Sequence, residues 1–169
     1  MALECGNCFI WSQPSIPPSP KGSRIQLSGA LGLKTKSMSS ITDTTIAIVD
    51  DEEGLCRSMC RLLRAAGYRP VAFSSAEEFL LSPDLKSFGC LVLDIQLGGM
   101  SGLELHQKLL TSGVCTPVIF ITAHDAVEVQ EQAQAAGCIG YFRKTDSGEG
   151  VLDAINRAVQ IYLLSNYRR

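Results

Sequence analysis

Four short apolar runs, each closed by a polar or charged residue, constrain this chain more than any other feature. Ile46-Ala47-Ile48-Val49 ends at Asp50-Asp51, and Cys90-Leu91-Val92-Leu93 ends at Asp94. Val118-Ile119-Phe120-Ile121 ends at Thr122, and Tyr141-Phe142 at Arg143-Lys144. None of these runs alternates apolar with polar residues, which is the pattern of strands buried on both faces. Between them lie segments of helical period, such as Leu55, Met59, Leu62, Leu63 and Ala66, stopped by Gly67. Buried strands alternating with helices build a parallel sheet covered on each side. A charge directly after such a strand sits at its carboxyl end, the edge where open parallel sheets bind ligands.

Strands are expected at 45–49, 70–73, 90–93, 118–121 and 139–142. Helices are expected near 52–66, 75–82, 101–111, 125–136 and 147–163. Right-handed crossovers leave few topologies for five βα units. The expected fold is α/β: a flavodoxin-like (βα)5 doubly wound sheet of strand order 2-1-3-4-5. Ser75 with Glu78 has capping-box spacing, and Ser101 is placed to cap the helix after the Gly98-Gly99 loop. In this order strands one and three are neighbours, so Asp50, Asp51 and Asp94 converge. Three carboxylates that close repel and raise one another's pKa. A hard cation relieves the repulsion, and Mg²⁺ suits a few carboxylates plus water and phosphate oxygens. Lys144 offers a compact positive charge to the same cluster.

The 169 residues accommodate one domain, expected at 44–165, and an appendage at 1–40. Four of the seven prolines fall at Pro14, Pro17, Pro18 and Pro20, without helical or strand period, so 1–40 reads as a disordered extension. Its apolar patch Cys8-Phe9-Ile10-Trp11 is too short for a signal sequence, and the functional start is expected at Met38. Residues 1–40 hold four basic side chains and one acidic, a net +3, whereas 41–169 hold eleven and sixteen, a net −5. An acidic body argues against direct nucleic-acid binding, which needs Lys and Arg for the phosphates. No run reaches the length of a transmembrane helix. Seven cysteines, an odd number mostly in apolar or helical stretches, suit reduced thiols and a cytoplasmic protein.

Each of these residues alone has a plainer account. A single Asp at a strand end is ordinarily a turn residue, Thr122 a helix cap, Lys144 a solvated charge and Tyr141 a packed strand residue. Cys5 and Cys8 have the spacing of half a zinc site but no second half follows. Cys56 and Cys60, one helical turn apart, read as buried small residues. His106 is expected to be exposed on its helix, and His124 lies near the mouth of the site.

Taken in order, the motifs resemble one family. Residues 44–163 look like the receiver domain of bacterial two-component response regulators, most of all the FixJ-like receivers that precede a LuxR-type DNA-binding domain. The resemblance rests on Ile46-Ala47-Ile48-Val49-Asp50-Asp51-Glu52, Leu91-Val92-Leu93-Asp94-Ile95 with Gly99-Met100-Ser101-Gly102, Ile121-Thr122-Ala123, and Tyr141-Phe142-Arg143-Lys144. It implies that Asp94 accepts a phosphoryl group from a sensor histidine kinase or phosphotransfer protein. It implies that Asp50, Asp51, Asp94 and the backbone carbonyl of Gln96 hold Mg²⁺, and that Thr122 and Lys144 contact phosphoryl oxygens. It also implies that Thr122 and Tyr141 form a switch that alters the 125–163 face, where a downstream protein or a second copy would bind. Such a chain is a phosphorylated signalling module and not a turnover enzyme.

Two positions depart from the family pattern. Thr145 follows Lys144 where proline is usual, which predicts a trans peptide and a shifted lysine. Gly98 stands where the family often has proline, which predicts a looser loop and slower phosphorylation. The alternatives are a pseudo-receiver that only binds partners, a fragment of a LuxR-type regulator lacking its DNA-binding domain, and an Asp-nucleophile hydrolase. Gln96 argues against the last, because such hydrolases typically carry a second Asp there. The apolar tail Ile161-Tyr162-Leu163-Leu164 suggests a partner surface.

Overall fold

The computed structural model describes residues 43–167 with the exception of residue 125. The expected extension at 1–40, its start at Met38 and its zinc half-site lie outside the described residues. Five parallel strands form one sheet: β1 (Thr45–Val49), β2 (Arg69–Phe73), β3 (Cys90–Asp94), β4 (Val118–Thr122) and β5 (Gly140–Arg143). Their order is β2-β1-β3-β4-β5, as expected for a flavodoxin-like doubly wound sheet. Each strand is followed by a helix: α1 (Glu53–Ala65), α2 (Ala76–Leu80), α3 (Gly102–Thr111), α4 (Val127–Ala135) and α5 (Gly148–Tyr167).

Alternate residues of each central strand serve different helices. Ile46, Ile48, Val92, Ile119 and Ile121 pack with Met59 and Leu63 of α1 and Val151, Ile155 and Val159 of α5. Ala47, Val49, Leu91, Leu93 and Phe120 pack on the other face with Phe79 of α2, Leu105 and Leu109 of α3 and Ala133 of α4. Both parities of these strands are therefore buried, which is why their sequences run continuously apolar. The same parity sorts the residues beyond the strand ends. Asp50 continues the Ile46–Ile48 row and Asp94 the Cys90–Val92 row, so both emerge on the α1/α5 side. Thr122 continues the Phe120 row, and Tyr141 also packs on that second face.

Local signals set several element ends. Ser101 caps α3 in a full capping box, its hydroxyl accepting from the Glu104 amide while the Glu104 carboxylate accepts from the Ser101 amide. Ser75 caps α2 but the box there is open: the Glu78 carboxylate turns instead to the amide and hydroxyl of Ser74. α5 runs past its expected end at 163. Leu163 packs against the α1/α5 core and the Tyr162 hydroxyl donates to the Lys86 carbonyl at 3.3 Å, so part of the apolar tail covers the body. Leu164 is exposed. Cys56, Cys60 and Cys90 are buried free thiols, as expected.

The expectation for His106 is also overturned. Its ring is buried edge-on against Phe120, with centroids 5.7 Å apart, and among the described residues its Nδ1 has no hydrogen-bond partner. Gly102, Leu105, His106 and Leu109 follow the i, i+3, i+4, i+7 pattern, so the stripe facing the sheet includes the histidine. Burial holds its pKa below the ordinary 6.5. The folded state thus binds this proton less readily than the unfolded chain. Stability is full above the ordinary pKa and falls as pH drops below it. The wild type is expected to lose about 1 kcal/mol more than His106→Leu between pH 7.5 and 5.5. Urea unfolding at the two pH values measures this.

Candidate functional site

The carboxyl edge of the sheet gathers the charged strand ends into one cluster. Asp50 is 3% exposed and Asp94 2%, and Lys144 of the loop after β5 lies between them at 13%. The Lys144 ammonium reaches both Asp50 oxygens at 3.0 Å and Asp94 Oδ2 at 2.8 Å. Glu52 Oε2 lies 3.5 Å from the same nitrogen. Backbone donors fix the carboxylates further. The Glu52 amide donates to Asp50 Oδ1 at 2.8 Å, and the Gln96 amide donates to Asp94 Oδ1 at 3.0 Å. Asp51 is exposed, yet one oxygen from each of Asp50, Asp51 and Asp94 lies within 4.8 Å of the others.

The electrostatics follow from burial and charge. Burial raises the pKa of Asp50 and the nearby Asp94 charge adds to this, against the Glu52 amide and Lys144. Burial alone would lower the pKa of Lys144, but hydrogen bonds and charge from Asp94 and Asp50 outweigh it and hold the ammonium above its ordinary value. The lysine therefore stays charged, facing an excess of carboxylate.

Among the described residues every peptide bond is trans, including that before Thr145. Lys144 reaches Asp50 and Asp94 from this trans backbone. Its amide donates to the Thr122 carbonyl at 2.8 Å, extending the β4–β5 pairing by one rung. Asp146 then closes the turn, its carboxylate accepting from the Arg143 amide at 2.8 Å and its own amide donating to the Arg143 carbonyl. These bonds hold the turn where proline would otherwise stiffen it.

Thr122 ends β4 beside this cluster but faces its own loop. Its hydroxyl donates to the His124 carbonyl at 2.9 Å and accepts from the His124 amide at 3.2 Å. The structure thus gathers Asp50, Asp51, Asp94 and Lys144, and leaves the Thr122 hydroxyl turned away. Tyr141 is half-buried in the second core and pairs in register with Phe120. Two contributions escaped the sequence. Glu52 joins the cluster, its only signal being a third acidic residue in a row. The Gln96 side chain meets His124 Nδ1 at 2.8 Å, joining the loops after β3 and β4.

The donor set is made of hard carboxylate oxygens, and Asp51 carries no hydrogen bond or ion pair among the described residues. That composition fits Mg²⁺ and not a soft metal.

A five-strand doubly wound sheet thus carries an acidic trio and a lysine at its carboxyl edge, the edge where such sheets bind ligands. The family model of the response regulator receiver domain matches residues 46–156, and the chain belongs to that family. Response regulator protein TmoT of Ectopseudomonas mendocina is 36% identical over 119 residues, covering 70% of this chain and 54% of TmoT. Transcriptional regulatory protein FixJ of Rhizobium meliloti is 36% identical over 119 residues, covering 70% of this chain and 58% of FixJ. The chain spans about half the length of the curated relatives it matches. The crystal structure of FixJ-N superimposes with a TM-score of 0.64 at 33% identity, over 70% of this chain and 94% of that one. Among the described residues no helix is long and apolar enough to cross a membrane.

Proposed function

We propose that this chain is a phosphoacceptor receiver in which Asp94 takes a phosphoryl group from a histidine kinase or phosphotransfer protein. The observation that carries this is the Lys144 ammonium bridging Asp50 and Asp94, with the Asp51 carboxylate in reach of both. An Asp94 oxygen attacks phosphorus, an O–P bond forms, and the donor's N–P bond breaks as its imidazole takes up a proton. Asp50, Asp51, Asp94 and the Gln96 carbonyl would hold Mg²⁺, which when bound neutralises charge on the phosphoryl oxygens. Lys144 releases Asp94 Oδ2 to the reaction and pairs with a phosphoryl oxygen. The Thr122 hydroxyl leaves the His124 carbonyl and donates to another.

Thr122 and Tyr141 lie on the same face of the sheet, which supports a coupled movement that changes the α4, β5 and α5 surface for a downstream protein or a second copy. This is signalling without catalytic turnover of a separate substrate, in the cytoplasm, with no direct contact to nucleic acid. Half-length coverage of FixJ and TmoT supports a second description, the receiver portion of a longer transcriptional regulator.

Incubation with acetyl phosphate and Mg²⁺ followed by intact mass spectrometry is expected to show one added phosphoryl group on the wild type. Chelation of Mg²⁺ and Asp94→Ala should each abolish it. An equal addition on Asp94→Ala would overturn the assignment.

A further inference from the structure

The loop between β3 and α3 follows Asp94 and contains Gln96, Gly98 and Gly99. It is pinned at its base, where the Gln96 amide donates to Asp94 Oδ1 and the Gly102 amide donates to the Ile95 carbonyl at 3.2 Å. Its tip has no side chain of its own at Gly98 or Gly99 with which to hold its place. The tip is nonetheless tied to a different element. Glu77 of α2 accepts a hydrogen bond from the Met100 amide at 3.1 Å. A Cβ at Gly99 would lie 3.1 Å from Glu77 Oε1, and Gly99 sits at φ +118°, where only glycine is comfortable. Gly99 therefore admits the carboxylate against the backbone. On its inner side the same tip faces the site: a Cβ at Gly98 would lie 3.9 Å from Asp51 Oδ2.

An acidic residue in the first turn of a helix needs no special role, since it complements the helix dipole. Glu77 differs in where its carboxylate goes. It spans 23 residues of sequence to a backbone donor in the loop beside the phosphoacceptor. A hydrogen bond to an ionised acceptor is stronger than a neutral one, and the Met100 amide helps hold the Glu77 carboxyl below the usual carboxylate range, after its own amide.

We infer that Glu77 is a positioning residue for the receiver site: from α2 it clamps the Gly98-Gly99-Met100 tip, and so fixes the loop backbone against Asp94 and Asp51. It stands in for the stiffening that proline at position 98 would supply. The consequence for metal and phosphate rests on the proposed phosphoacceptor reading. The clamp itself does not.

The test compares wild type, Glu77→Ala and Glu77→Gln by amide hydrogen exchange and by Mg²⁺ titration. Gln keeps an acceptor oxygen without the charge. In Glu77→Ala the Met100 amide is expected to exchange at least about tenfold faster, with Mg²⁺ affinity down roughly tenfold, the lower end for loss of an outer support to a metal ligand set. Glu77→Gln should recover most of both, and the urea midpoints of all three without Mg²⁺ should agree closely. Unchanged Met100 exchange in Glu77→Ala would overturn the clamp. Equal losses in Ala and Gln would also overturn it, because a general charge effect would then account for them. If the wild type binds no Mg²⁺, the metal reading fails, and the exchange data still decide whether Glu77 holds the loop.

Discussion

Lys144→Ala is expected to cost about 3–5 kcal/mol of folding stability at neutral pH without divalent cations. The size follows from burial. Asp50 and Asp94 are almost wholly out of solvent, and Lys144 is the cation between them. Removing it leaves two buried carboxylates facing each other with Asp51 and Glu52 nearby. Surface ion pairs such as Arg57–Glu53 contribute far less, about 0–1 kcal/mol, and serve as the control. The sign with pH can be stated. The pKa of Asp50 is already raised above its ordinary 3.8, so stability linked to it is full below that value and is lost as pH rises through the folded pKa. Without Lys144 this loss grows, so the gap between wild type and variant should shrink on acidification. Asp94→Asn in the Lys144→Ala background should recover a large part of the loss, because one of the two buried charges is gone. Urea unfolding at several pH values measures all of this. A loss below about 1 kcal/mol would mean that solvent already screens the cluster as it does a surface pair.

Gly102→Ala is expected to cost about 1–3 kcal/mol, although alanine is the better helix former by roughly 1 kcal/mol. Gly102 opens α3 directly behind Asp94, and a Cβ there would collide with the Asp94 backbone carbonyl oxygen. The obstacle is backbone on a central strand, so neither partner can move cheaply. Gly54→Ala is the matched comparison. Gly54 lies in α1 with no atom within 4 Å of its would-be Cβ, and that substitution should add about 0.5–1 kcal/mol. Opposite signs in chemical denaturation, with Mg²⁺ affinity reduced only in Gly102→Ala, are the expected result. Equal stabilisation by both would show that the β3–α3 junction yields.

The sheet order and the convergence of Asp50, Asp51, Asp94 and Lys144 were legible because strands buried on both faces leave an unambiguous pattern. Parity then settles which side each strand-end residue takes. Less local features were hidden. The Thr122 hydroxyl turns to His124, a choice made by a short turn and not by strand order. The polarity of His106 suggests exposure, but its place in the Leu105–Leu109 stripe turns it to the sheet. The turn that carries Lys144 lacks proline and is closed by Asp146 through hydrogen bonds that no spacing rule specifies. In sequence Glu77 is an ordinary acidic residue in the first turn of a helix. Its partner lies across 23 residues, a distance that local pattern does not bridge.

The central claim is that Asp94 carries the phosphoryl group. Borohydride reduces an acyl phosphate to the alcohol, so a phosphorylated aspartate is converted to homoserine and can be located by peptide mass spectrometry. After treatment with acetyl phosphate and Mg²⁺, homoserine is predicted at position 94 and nowhere else. Homoserine at position 50 or 51, or a phosphorylated chain that yields none, would contradict the account.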